Sequence, residues 1–307
     1  MSAALKSSQK GLLLVFAAAL FMSIGGLCVK MIPWQALSIN SFRSLLSVVV
    51  LLAFARLSHH RLHLSPGVLL GGLAVFGATT LYTVANKMTT AGNAVLLQFT
   101  APIFVILFSW LVFREKPHRR DIVACLCVFG GVCCFFLDSL GSGRLAGDVV
   151  AVIAGVSYCW VFMMNKLPGA DPLCSAILGH GLGGLVGLPS LVQESQFTPT
   201  ALTCGVLLGV VQMGLAYACL TTGIRYVKPV TASLVTGIEP VLNPILVALV
   251  VGEVLTPLAL VGGAIVFVSV MVYNLRSVQG EQAPAAAGRK ETAHAEHSLP
   301  RPGDRGL

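Results

Sequence analysis

Two charged side chains sit inside apolar runs, where a charge is expensive. Glu239 lies about ten residues into a run at 230–251, and Arg43 about seven residues into a run at 36–57. Near a bilayer centre a charge costs at least ~2.5–3.5 kcal/mol, so each needs a partner, water or a ligand. One reading makes Glu239 a proton-coupling or cation-binding carboxylate. The other locks it to Arg43, or has it cap backbone freed by Pro240. His180, among Gly179, Gly181, Gly183, Gly184 and Gly187, is a candidate proton relay or a neutral interhelical hydrogen-bonder. Tyr82, Asn86, Gln98, Gln212, Tyr217 and Asn243 also fall near the middle of apolar runs. Facing a wet cavity, such groups would orient a ligand. Tyr158 and Trp160, with Trp110, are candidate aromatic walls, and the two tryptophans are alternatively interfacial anchors or core packing.

The elements that carry these residues are helices. Apolar runs at 11–29, 36–57, 66–86, 92–113, 122–137, 149–164, 173–192, 201–222, 230–251 and 257–274 read as ten spans, with short turns at Pro33, Pro66, Pro117, Pro168-Gly169 and Pro257. The fifth and sixth are short for a span, which tilt, local thinning or longer true boundaries must make up. After Arg276 the composition turns to Gln, Ala, Pro, Gly and charge, the signature of a disordered tail at 277–307. Residues 1–10 form a short N-terminal segment. Lys6 and Lys10 before an apolar run resemble a signal peptide, but the run is long enough to span and no A-x-A site follows.

Composition agrees. Of 307 residues, 56% are hydrophobic and 10% charged, and mean hydropathy is +0.86. Soluble domains carry about 25% charged residues. The net charge of +8 reads as a topology signal rather than a nucleic-acid footprint, because the bases lie between apolar runs. With the N-terminus in the cytoplasm, twelve loop bases fall on that side (Arg56, Arg61, Lys166 and Arg225 among them) against Lys30, Lys87 and Arg144 on the other. Nine cysteines lie in or beside apolar runs and make no zinc-type spacing with histidine, and His59, His60, His63, His118 and His180 form no evident cluster, so no metal site is expected. The glycine pairs at 25–26, 71–72, 130–131 and 262–263 read as close helix contacts.

The chain also repeats itself 138 residues apart. Gly67-Val-Leu-Leu-Gly71 returns as Gly205-Val-Leu-Leu-Gly209, and Thr83 falls on Thr221, Pro102 on Pro240, Glu115 on Glu253 and Phe129 on Phe267 without a gap. Five spans per half is an odd number, so the halves (11–137 and 149–274) enter the membrane in opposite senses. The fold class is therefore all-α integral membrane, ten transmembrane helices as two inverted five-helix repeats.

Ala91-Gly-Asn-Ala-Val-Leu-Leu-Gln-Phe-Thr-Ala-Pro102 and Glu115-Lys-Pro117, with their second copy from Ile238-Glu239-Pro240 to Gly252-Glu253, resemble motifs of the drug/metabolite transporter superfamily, EamA type. Arg43 sits where that family often has an arginine, and Lys30 and Lys166 close the first helix of each half similarly. The resemblance covers about residues 10–275. It implies a secondary carrier for small metabolites, often an exporter, with a central cavity between the halves.

The leading expectation is an alternating-access carrier in a bacterial inner membrane, both termini cytoplasmic, exporting amino acids or related compounds. A facilitator or exchanger without proton coupling is the alternative. An integral-membrane enzyme lacks a visible nucleophile, base or metal cluster, and a channel lacks a filter or ring of like groups. The expected partners are a small-molecule substrate, lipid and protons as candidate coupling ion, with a homodimer as candidate oligomer, no nucleic acid and no cofactor.

Overall fold

The computed structural model of the chain describes residues 2–114, 119–139, 143–227, 232, 235–253 and 255–272. Glu115, Lys116, Pro117, Lys228, Arg276, the expected start of the ninth span and the tail at 277–307 lie outside them. The described residues build ten apolar helices: α1 (Gln9–Met31), α2 (Ala36–Leu57), α3 (Pro66–Met88), α4 (Ala91–Leu111), α5 (Ile122–Ser139), α6 (Leu145–Lys166), α7 (Pro172–Val192), α8 (Pro199–Gly223), α9 (Thr236–Val251) and α10 (Pro257–Val272). The first eight are long and apolar enough to cross a bilayer, and α9 and α10 are shorter. Leu69, Leu70, Leu73, Leu126 and Phe129 are exposed, as lipid-facing side chains would be.

The sixth span proves longer than its apolar run at 149–164 suggested, and the fifth reaches Ser139. The extra turns hold acids whose carboxylates accept hydrogen bonds, which hydropathy alone discounts. Asp148 is fully buried and accepts from Thr89 Oγ1 at 2.6 Å, from Asn93 Nδ2 at 3.4 Å and from the Ser139 hydroxyl. Asp138 accepts from Thr256 Oγ1 at 2.6 Å.

Helix starts follow their caps. Ser65, Thr90, Asp171 and Thr198 each accept a backbone N–H of the first turn through the side chain, and Pro66, Pro172 and Pro199 occupy the position after the cap. Gly252 ends α9 with φ 73°, a left-handed conformation that glycine adopts without penalty.

Packing between the halves follows the repeat. Helix α2 packs on α7, its counterpart. The α3–α6 contact has its mirror in α8–α1, and α3–α7 has its mirror in α8–α2. That exchange is what a two-fold axis between inverted repeats demands. Gly131 of α5 and Gly262 of α10 meet so closely that a Cβ on either would stand 2.8 Å from the other's carbonyl oxygen. Gly130 does not share this role, since nothing lies within 4 Å of where its Cβ would be.

Four helices break their regular hydrogen bonding. Helix α1 is interrupted by a turn at Ser23–Ile24, α4 by a turn at Phe99–Thr100, and α9 opens with a 3-10 turn at Thr236–Ile238. In α8 the stretch Leu207–Leu215 is π-helical. The breaks in α4 and α9 fall on equivalent repeat positions. Pro102 and Pro240 follow them and withhold the N–H that would complete the ladder.

Candidate functional site

Each break abuts a narrow central cavity of about 30 Å³. The first half lines it with Met22 of α1, Ala78, Thr79 and Tyr82 of α3, and Gln98 of α4. The second half contributes Tyr158 of α6, Gln212, Met213 and Tyr217 of α8, and Glu239 of α9. The π-helical stretch carries Gln212 and Met213, and the 3-10 turn delivers Glu239 at the start of α9.

The polar groups are arranged around Tyr82. Its hydroxyl oxygen lies 3.4 Å from Asn243 Nδ2 and 3.5 Å from Asn86 Nδ2. Gln98 Nε2 donates to the Ala78 carbonyl at 3.3 Å, and Tyr158 places its hydroxyl 3.8 Å from Met22 Sδ. Gln212 Oε1, Asn86 Oδ1 and Asn243 Oδ1 are buried without a hydrogen-bond partner among the described residues. Buried polar atoms of this kind are normally paired, so the wall has acceptor capacity left for a ligand or water. Glu239 is the one carboxylate among the lining residues.

Arg43 and Glu239 do not pair, which corrects one sequence reading. Arg43 is fully buried behind the cavity wall. Its Nη2 donates to the Thr79 carbonyl at 2.7 Å, to Thr83 Oγ1 at 2.5 Å and to Asn40 Oδ1 at 3.2 Å. Neutral oxygens on α2 and α3 thus hold the guanidinium, and Nη1 has no partner among the described residues. His180 is not a hydrogen-bonder there either. Both ring nitrogens lack a partner among the described residues, and the ring meets Tyr217 edge-on at 4.6 Å.

Of the sequence candidates, Tyr82, Gln98, Tyr158, Gln212, Tyr217 and Glu239 line the cavity, with Asn86, Asn243, Arg43 and His180 directly behind it. Trp160 is not among the lining residues. It packs against Phe108 at 5.2 Å, and Trp110 is exposed. Trp160 follows Tyr158 by two residues, roughly 200° around a helix, so the two point apart. Thr79, Met22 and Met213 were not anticipated. Thr79 had a signal, because the repeat offset places it on Tyr217.

Both ends of the bundle tie one half to the other. At the Lys30 end, Lys30 Nζ meets Glu253 Oε2 at 3.1 Å, and the Ala91 N–H donates to Glu253 Oε1 at 2.6 Å. Lys30 also donates to the Thr89 carbonyl at 2.8 Å, and Trp34 Nε1 to the Gln196 carbonyl at 2.8 Å. At the opposite end His60 Nε2 meets Asp171 Oδ2 at 2.7 Å, with Arg225 Nη2 at 3.4 Å from Asp171 Oδ1. Burial pushes the Asp171 carboxyl upward. The Cys174 backbone N–H and the charges of His60 and Arg225 outweigh that and hold it below the usual carboxylate range. Cys174 stands beside this pair, so the expectation of no cluster around the histidines does not hold for His60.

The model of the EamA-like transporter family matches residues 9–137 and again 145–275. An uncharacterized transporter of Archaeoglobus fulgidus is 26% identical over 263 residues, covering 84% of this chain and 94% of that protein. The threonine/homoserine exporter RhtA of Escherichia coli is 28% identical over 252 residues, covering 75% of this chain and 79% of its own length. A crystal structure of a protein 16% identical superposes with a TM-score of 0.63 over 87% of this chain and 97% of that one, a likeness of fold alone.

Proposed function

We propose that this chain, which belongs to the EamA-like transporter family, is an alternating-access carrier that exports amino acids or closely related compounds across a bacterial inner membrane. One observation carries the reading: a cavity walled by both inverted halves, with three tyrosines, two glutamines and a single carboxylate. A small amphipathic solute with an ammonium group fits that wall. Glu239 meets the cation, the tyrosine faces cover the carbon skeleton, and the unpaired amide oxygens accept its remaining hydrogens. The relative that exports threonine and homoserine supports the same class.

Rocking of the halves would expose the cavity to one side and then the other. The Lys30–Glu253 and His60–Asp171 contacts are the natural gates, since each joins the halves at one end. Protons are the proposed coupling ion, with Glu239 as their carrier. The excess of loop bases at the His60 end supports a cytoplasmic placement of that end and of both termini. Reporter fusions after Arg225 and after Arg144 test the orientation, with cytoplasmic and outer signals expected respectively.

The functional test is counterflow in proteoliposomes. Vesicles preloaded with threonine or homoserine should accumulate external labelled threonine, and a dye-sized solute should not pass. Free passage of the dye would indicate a pore. Absence of exchange across a panel of amino acids would remove the substrate class.

A further inference from the structure

The two halves also meet in a cluster of metal-ligand chemistry away from the cavity. His60, Asp171 and Cys174 offer one ring nitrogen, one carboxylate oxygen and one sulfur, all within 4.8 Å of one another. His60 belongs to the first half, and Asp171 and Cys174 to the second. We infer that these three residues bind a borderline divalent transition-metal ion of the zinc type, which clamps the halves together at the His60 end.

Local structure presets each ligand. Helix α2 ends in a Schellman turn: His60 N–H donates to the Ala55 carbonyl at 2.9 Å, His59 N–H to the Arg56 carbonyl at 3.1 Å, and His59 is left-handed with φ 51°. That reversal directs His60 at α7. Asp171 caps α7, with Oδ1 accepting from Leu173 N–H at 2.9 Å and Cys174 N–H at 3.0 Å. The cap turns Oδ2 toward His60. Cys174 follows in the first turn, and the His63 main-chain N–H faces its sulfur. Ser65 Oγ adds a second tie across the halves, donating to the Gly169 carbonyl at 2.6 Å.

The donor set selects the ion. Nitrogen, sulfur and a single carboxylate oxygen suit zinc(II) and its neighbours, not calcium or magnesium, which prefer all-oxygen shells. Three protein ligands leave a fourth tetrahedral position for water. Two ligands on one zinc at ~2.0 Å stand about 3.3 Å apart. The His60–Asp171 distance of 2.7 Å must therefore open by a few tenths of an ångström, which a histidine beyond a helix end permits. One carboxylate and one thiolate neutralise the dication. On binding, the Cys174 S–H bond breaks, the sulfur–metal bond forms and the proton passes to solvent, with no electron transferred. Arg225 competes, because its guanidinium occupies the same carboxylate at 3.4 and 3.5 Å. Its side chain is 41% exposed and can withdraw into water.

The ion site stands on its own geometry, while the clamp rests on the proposed rocking of the halves. Cobalt(II) titration of the full-length protein in micelles tests the site, read by thiolate-to-cobalt charge-transfer absorption and tetrahedral ligand-field bands. A saturable charge-transfer band is expected, displaced by zinc(II) and lost in Cys174→Ser. His60→Ala should weaken binding about tenfold or more, and Arg225→Gln should tighten it. Absence of a saturable band, its survival in Cys174→Ser, or unchanged affinity in His60→Ala would overturn the site. For the clamp, micromolar zinc(II) should slow counterflow of the parent and not of Cys174→Ser. Equal flux with and without zinc in a parent that shows the cobalt band would overturn the clamp alone.

Discussion

Thr79 and Tyr217 stand at the same position of the two repeats, and both line the central cavity. A two-fold axis places equivalent positions on opposite walls, so a ligand at the centre meets a small hydroxyl on one side and a phenol on the other. The Thr79 hydroxyl is occupied by its own helix, donating to the Val75 carbonyl at 2.8 Å. Tyr217→Phe should therefore raise KM for the substrate by about 2–10-fold, the worth of one neutral hydrogen bond, and Thr79→Val by less than about 2-fold. Concentration-dependent counterflow measures both, and an equal effect of the two substitutions would contradict the assignment.

Thr83 tests how Arg43 is held. The guanidinium relies on the Thr83 hydroxyl, the Thr79 carbonyl and Asn40. Thr83→Val keeps the shape and removes one acceptor from a buried cation, at a cost of about 1–3 kcal/mol. Thermal unfolding in detergent should show a lowered midpoint, with the Thr221→Val change at the equivalent position as control. An unshifted midpoint in Thr83→Val would mean that Arg43 finds another acceptor.

Glu239→Gln is expected to preserve folding and abolish the response of flux to a pH gradient. Glutamine keeps the shape and hydrogen-bonding capacity but does not ionise in this range. The measurement is proteoliposome flux at several internal and external pH values. Gradient-driven flux that persists in the variant would make the protein a facilitator or an exchanger coupled elsewhere.

Gly26 makes room for Asn243, since a Cβ there would collide with the Asn243 side-chain amide. Asn243 in turn reaches Tyr82. Gly26→Ala should displace that amide and reduce substrate affinity several-fold, and Gly26→Ala combined with Asn243→Ala should relieve the clash without recovering affinity. Ligand-induced thermal shifts distinguish the two contributions.

Glu253 holds the Lys30 end. Its carboxylate accepts from Lys30 and from the Ala91 N–H, and glutamine keeps one acceptor oxygen for these donors. Glu253→Gln should thus leave the unfolding midpoint nearly unchanged while altering transport kinetics, because it loosens a gate and not the core. A large loss of stability with unaltered kinetics would assign Glu253 to structure.

The spans were legible because lipid as solvent leaves long apolar runs, and the inverted repeat because its spacing has no gap. Helix ends were less so. Asp148 looks like a boundary in the sequence, and only the fold shows Thr89, Asn93 and Ser139 satisfying it. The cavity was legible in part, since mid-span polar groups such as Gln98 and Gln212 need a wet neighbour. The Arg43–Glu239 pairing failed because sequence shows opposite charges and hides the neutral oxygens of α3. His60 lies 111 residues before Asp171, too far for the pair and Cys174 to form a sequence pattern, and a Schellman turn plus an N-cap brings them together.

The π-helical stretch in α8 has no counterpart in α3, although the two helices align without a gap. The two copies thus differ in backbone hydrogen bonding and not in length. The facing is kept all the same, since Thr79 and Tyr217 reach one cavity from equal repeat positions on either helix. A chimaera that writes α3 into α8 residue by residue would therefore keep the register of the binding wall. What it would lose is the wider-wound backbone that carries Gln212 and Met213.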